Sequence, residues 1–254
     1  MEIDTYEDGV PSWVDLGTPD IAKASAFYSA LFGWTVNQGP PEAGGYAIAE
    51  LRGRPVAGLG PQQNPGPPVW ATYVNVDDAD KVVAKVGDAG GMVFVPPMDV
   101  MDVGRMAIFA DPAGAVIGVW QPKEHKGAGI VNEPGTLAWN ELMTTDVAAA
   151  KTFYNAVFGW DEVTHGEGAG AYTEFQVAGR SIAGMMEKPA ELPAEMPPFW
   201  GIYFAVADTD ATAKRIGELG GSIMMPPRDI EPGRFAVGVD PTGAAFSVIT
   251  MKTA

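Results

Sequence analysis

This sequence predicts an α+β protein of two tandem modules, each a pair of βαβββ units forming one curved mixed sheet with a concave pocket. Three observations carry that prediction. The chain repeats itself, matching AFYSALFGW (26–34) to TFYNAVFGW (152–160) and GRMAIFADPAGA (104–115) to GRFAVGVDPTGA (233–244). Each half then repeats internally, in the order strand, helix-capping aspartate, apolar helical stretch and short alternating segments. Finally, 254 residues with 46% hydrophobic content suffice for two ordinary cores.

The long repeat also pairs GRPVAG (53–58) with GRSIAG (179–184), VWATYVNVDDAD (69–80) with FWGIYFAVADTD (199–210), and GGMVFVPPMD (90–99) with GGSIMMPPRD (220–229). The offset grows from 126 to 130 across the loop PAELPAEMPP, then falls to 129, as expected where loops absorb insertions. A Gly-rich polar stretch, KEHKGAGIVNEPGT, reads as a linker at 123–136 between modules at 1–122 and 137–254.

Within the first unit, VDLGTPDIAKASAFYSALFGW supplies a strand, an Asp cap and a helix with apolar residues at helical spacing. GYAIAEL and RPVAGLG follow as alternating strands. The second unit repeats this order in TYVNVDDADKVVAKVGDAGGMVF, with MVFV, RMAIFA and AVIGVW as its strands. Helices can cover only one face of the resulting sheet, which leaves the concave face as the pocket.

Composition narrows the function. There are 32 acidic and 16 basic residues, a net charge of −16 whose field repels phosphate backbones and anionic lipids. Nucleic acid and membrane are therefore not expected as partners. No apolar run nears the roughly 20 residues that span a bilayer. The start, MEIDTYEDGV, is acidic where a signal peptide would be basic, so a cytoplasmic location is expected. With no cysteine, disulfides and thiolate chemistry are excluded. The only histidines are His125, in the linker, and His165, in the stretch HGEGAGAY read as a loop.

The pattern D-x-x-x-(A/S)-x-x-FY-x-x-(L/V)-FGW after a strand, V-x-D-x-D before the second helix, and DP-x-G-A at the last turn resemble the vicinal oxygen chelate superfamily. That superfamily includes glyoxalase I, bleomycin-resistance proteins and extradiol dioxygenases. The paired arrangement is especially similar to actinobacterial two-module proteins labelled glyoxalase-like or hydroxylase. The resemblance implies glyoxalase-like modules whose metal-using members place His or Glu ligands on the concave strands. Threaded onto this chain, those positions fall on Trp13, Gly58, Ala71 and Gly118, and on Trp139, Gly184, Gly201 and Ser247. None is a usual ligand, so no metal and no cofactor are expected.

Strand alternation puts Trp13 with Asp15, and Trp139 with Glu141, on the concave face, joined by Tyr73 and Tyr203. The indoles are either plugs in a vacated metal cavity or platforms for an aromatic ligand. Asp15 and Glu141 are candidate general acids or bases because burial raises a carboxyl pKa. Structural hydrogen bonding or a place on the wet rim are the alternatives. Tyr73 and Tyr203 are candidates to hold a developing oxyanion. Arg105 and Arg234 could meet an anionic group of the substrate, or simply pair with a nearby acid. Methionines near strand ends, among them Met98, Met106 and Met225, are core or adaptable pocket mouth. The FY and FGW pairs are core.

The expected function is metal-independent binding of a small, partly aromatic or ketone-bearing metabolite, with acid–base catalysis of the isomerase, cyclase or lyase type. The alternatives are an antibiotic- or toxin-sequestering protein without turnover, and a glyoxalase-like detoxifier with an unusual metal site. The expected partner is a small metabolite or drug, and the expected state a monomer or homodimer.

Overall fold

The computed structural model describes residues 1–63, 65–190 and 192–252. Glu191 of the longer loop and the last two residues of the second module lie outside the described residues. The βαβββ unit occurs four times. The first comprises β1 (Pro11–Thr18), α1 (Ile21–Phe32), β2 (Thr35–Gln38), β3 (Ala47–Leu51) and β4 (Arg54–Pro61). The second comprises β5 (Val69–Asn75), α2 (Ala79–Val86), β6 (Met92–Val100), β7 (Gly104–Ala110) and β8 (Val116–Pro122). The third is β9 (Leu137–Thr144), α3 (Val147–Phe158), β10 (Asp161–His165), β11 (Tyr172–Val177) and β12 (Arg180–Glu187). The fourth is β13 (Phe199–Ala205), α4 (Thr209–Glu218), β14 (Ser222–Ile230), β15 (Gly233–Val239) and β16 (Ala245–Met251).

Each module is one eight-stranded sheet, ordered β2-β3-β4-β1-β5-β8-β7-β6 and β10-β11-β12-β9-β13-β16-β15-β14. The two units of a module join where β1 runs antiparallel to β5, and β9 to β13. All four helices start alike. Asp20, Asp78, Asp146 and Asp208 each accept a hydrogen bond from the backbone N–H three residues on, satisfying a donor the helix leaves free. The glycine of each FGW triplet, Gly33 and Gly159, stops its helix in the left-handed conformation, at φ of 76° and 73°.

The modules share their cores. Phe27, Tyr28, Phe32, Trp34 and Trp70 pack in one cluster with Ile202, Phe204, Ile216 and Phe246. Val86, Phe109 and Ile117 pack reciprocally with Phe153, Tyr154, Trp160 and Trp200. Two hydrogen bonds tie this exchange: Tyr28 donates to Asp240 at 3.0 Å and Tyr154 to Asp111 at 3.1 Å. The same aspartates hold the DP-x-G-A turns, Asp111 accepting from the N–H groups of Ala113 and Ala115, and Asp240 from Thr242, Gly243 and Ala244. One motif therefore shapes a turn in its own module and clasps the other. The helix-covered convex faces meet in the middle, and the two concave faces point outward. Among the described residues no helix is long and apolar enough to cross a membrane.

Candidate functional site

Each concave face carries a buried carboxylate. On β1, Trp13 lies opposite Tyr73, and Asp15 opposite Ala71 and Gly58. On β9, Trp139 lies opposite Tyr203, and Glu141 opposite Gly201 and Gly184. The acids, rather than the indoles, thus share a cross-strand row with the glycines on the last strand of the first and third units. The indoles, through Tyr73 and Tyr203, share the row of Gly118 and Ser247, the threaded positions on the last strands of the second and fourth units.

A second tyrosine completes each cluster. Trp13 donates from Nε1 to the Tyr46 hydroxyl at 3.0 Å, and Tyr46 donates to Asp15 Oδ2 at 3.2 Å. Trp139 donates to Tyr172 at 2.8 Å, and Tyr172 to Glu141 Oε2 at 2.9 Å. Tyr203 donates to Glu141 Oε1 at 2.8 Å, and Tyr73 stands on the same face as Asp15, near enough to lower its pKa. Glycine is required beside them, because a Cβ on Gly58 or Gly184 would collide with the Tyr46 or Tyr172 hydroxyl. Sequence reasoning missed Tyr46 and Tyr172. The available signal was their recurrence at the repeat offset of 126, thirty-three residues after each Trp.

Burial is the largest influence on these acids. It lifts Asp15 to about 6, against the opposing effect of the Tyr46 and Tyr73 hydroxyls. It raises Glu141 as well, against Tyr203 and Tyr172. The phenols are pushed up by burial and by the neighbouring carboxylate, so all four remain neutral donors. Asp15 keeps some contact with water, while Glu141 is 7% exposed. A carboxyl held by phenols and not by cations keeps the upward shift that burial gives it.

The two faces differ in their cover. Trp13 is 3% exposed, with the imidazole of His125 edge-on to it at 4.3 Å and Ala128 and Val131 in the same cluster. Trp120 fixes that turn of the linker by donating from Nε1 to the His125 carbonyl at 2.8 Å. Burial lowers the His125 pKa to about 4, and its Nε2 has no hydrogen-bond partner among the described residues. The linker histidine is thus part of the first concave face, although its position in sequence gave no sign of it. Trp139 is only partly buried. His165 closes strand β10 opposite Tyr172, correcting its reading as a loop residue, and its Nε2 stands 3.6 Å from Glu174 Oε1.

Arg105 and Arg234 do not join either site, which corrects their reading as substrate-binding residues. Arg105 pairs with Asp80 on the first turn of α2 at 2.8 and 3.0 Å, and lies 3.6 Å from Asp99. Arg234 pairs in the same way with Asp210 on α4 and with Asp229. Alternation explains it: Met106 and Phe235 take the concave side, so the preceding arginines face the helices. Crevices along the seam of α1 and α4, one lined by Phe32, Pro134, Val206 and Arg215, lie on the convex side away from both carboxylates.

A doubled βαβββ sheet with buried chemistry on its concave face defines the class. The chain belongs to the glyoxalase/bleomycin resistance protein/dioxygenase superfamily, whose model matches residues 11–119 and 126–248. Among its relatives, "Putative glyoxylase CFP32" of Mycobacterium tuberculosis is 45% identical, covering 96% of this chain and 95% of that protein. "Anthracycline biosynthesis protein DnrV" of Streptomyces peucetius is 38% identical, over 97% of this chain and 95% of the relative. The Mn(II)-bound glyoxalase of Novosphingobium aromaticivorans shares the fold at a TM-score of 0.66 and 17% identity, covering 96% of this chain and 83% of that one.

Such a neighbour raises the question of a metal here. Each concave face offers one carboxylate and two protonated phenols, and the first adds only the His125 imidazole; Gly58, Ala71 and Gly118 or Gly184, Gly201 and Ser247 beside them bring no carboxylate or imidazole. Among the described residues no three His, Cys, Asp or Glu side chains gather as a ligand set. These residues do not fit a chelated divalent ion.

Proposed function

We propose that the protein is a metal-independent enzyme that binds a partly aromatic, ketone-bearing metabolite on a concave face and acts on it by acid–base chemistry. The observation that carries this reading is Glu141, a buried carboxyl with raised pKa, each oxygen held by a phenol, beside a partly open indole. In the simplest step a C–H next to the substrate ketone loses its proton to Glu141. The C–H electron pair becomes the enolate C=C bond, and the developing oxyanion accepts the hydrogen bond that Tyr203 otherwise gives to Glu141. Return of the proton to another carbon completes an isomerisation; expulsion of a β-substituent completes an elimination. Asp15 with Tyr46 and Tyr73 is built on the same plan, beside an indole covered by His125. Two relatives named for anthracycline biosynthesis support a substrate with aromatic and ketone groups.

Glu141→Gln keeps the shape and the acceptor for Tyr203 but cannot take a proton. It is expected to lose roughly 10²-fold in turnover while ligand binding persists. Full turnover in this variant removes the carboxylate from the reaction. Sequestration without turnover is the second reading, favoured by the partly open Trp139. It predicts no product from any ligand that binds and unchanged affinity in Glu141→Gln.

A further inference from the structure

The duplication permits a position-by-position comparison of the two faces, and one difference is a change of charge. In the first module β6 pairs Met98 with Met106 on β7. In the second, β14 pairs Arg228 with Phe235 on β15, and the Arg228 guanidinium lies 4.9 Å from the centre of the Phe235 ring. Phe235 in turn stands 6.0 Å from Tyr203, which donates to Glu141. A continuous row of packed side chains therefore runs from the indole of Trp139 and the Glu141 carboxyl, through two buried aromatic rings, to an exposed cation.

That cation is unusual in this chain. Arg52, Arg54, Arg105, Arg180, Arg215 and Arg234 all have carboxylate partners within 4 Å, as expected where acids outnumber bases two to one. Among the described residues Arg228 is the one arginine with no ion pair, and it is exposed. An arginine placed over an aromatic ring, with no carboxylate partner, keeps its N–H donors free for an anion. The overall negative charge does not forbid such a ligand, because charges beyond about 8 Å are largely screened at physiological salt.

We propose that ligand binding belongs to the second module and that the ligand is a planar aromatic ketone carrying an anionic group, a carboxylate or phenolate, received by Arg228. This rests on the reading of Glu141 and Trp139 as a binding surface and adds polarity to it. The ketone lies at the Glu141–Tyr203 end and the anion at the Arg228 end, so the reacting carbon is positioned by a contact remote from it. The first module has Met98 in place of the cation and His125 over its indole, and takes no such ligand.

The test is titration calorimetry of the full chain with 9,10-anthraquinone-2-carboxylate and its neutral carboxamide. One carboxylate per chain is expected, weakening as salt rises. Arg228→Met, which installs the residue of the first module, is expected to weaken the carboxylate about tenfold and leave the carboxamide within about twofold. Trp139→Leu is expected to weaken both probes several-fold. Two sites per chain, or equal effects of Arg228→Met on both probes, overturns the proposal. Binding that responds to Trp139→Leu but not to Arg228→Met overturns anion recognition and leaves the pocket reading standing. Failure of both probes to bind overturns the proposal, and the pocket reading is then judged by Glu141→Gln turnover alone.

Discussion

The concave faces of the two modules descend from one pattern and have become opposite kinds of surface. The first has its indole covered: Trp13 lies under His125, Ala128 and Val131, while Asp15 keeps some contact with water and Met98 and Met106 face each other across β6 and β7. The second keeps Trp139 partly open and exchanges the methionine pair for Arg228 on Phe235. The buried acid and its two phenols are retained in both. The same carboxylate cluster therefore sits beside a covered indole in one copy and a partly open one in the other.

The largest effect that would sharpen this contrast is on stability. Trp13→Ala should cost roughly 3–5 kcal/mol, since a closed site cannot easily collapse around a lost indole, and Trp139→Ala about half of that. Chemical denaturation of both variants measures the difference; equal losses would erase it. Next comes turnover, where Asp15→Asn should leave activity intact while Glu141→Gln loses about two decades, roughly 2.7 kcal/mol. Loss of activity in Asp15→Asn would show the first face to be open in solution.

A smaller effect concerns pH. Asp15 has a folded pKa of about 6 against its ordinary 3.8, so the folded state holds the extra proton between those values. Its stabilising contribution is complete below about pH 4 and is lost as pH rises through 6. After allowance for its partial contact with water, this amounts to about 1–2 kcal/mol. Melting curves of the wild type and Asp15→Asn should therefore diverge with rising pH, the variant becoming relatively more stable, and parallel curves would refute the burial argument. The smallest effect is expected from Arg105→Ala and Arg234→Ala, which should leave ligand affinity within about twofold because both guanidinium groups face helices.

Much of this was legible in the chain. The FGW and DP-x-G-A motifs are packing and turn chemistry, and the aspartate caps announce all four helices. Alternation correctly put Trp13, Asp15 and Tyr73, and their counterparts, on one face. The edge strands β2 and β10 were not individually visible, since TVNQ and DEVTH are mostly exposed and lack apolar alternation. Alternation also could not rank Arg105 against Arg228, because which face a strand residue takes depends on register set by neighbours elsewhere in sequence. The cover provided by His125 was invisible for a related reason: nothing local tells a linker where to fold back.

The clasp of Tyr28 on Asp240 has a consequence for how the chain is made. The apolar convex face of the first module is completed by Phe204, Phe246 and Val248, all from strands of the fourth βαβββ unit. During synthesis that face has no cover until the fourth unit has left the ribosome. The first half must wait, half-clothed, for the second, and a pause or truncation before the fourth unit is made leaves an adhesive surface exposed in the cell.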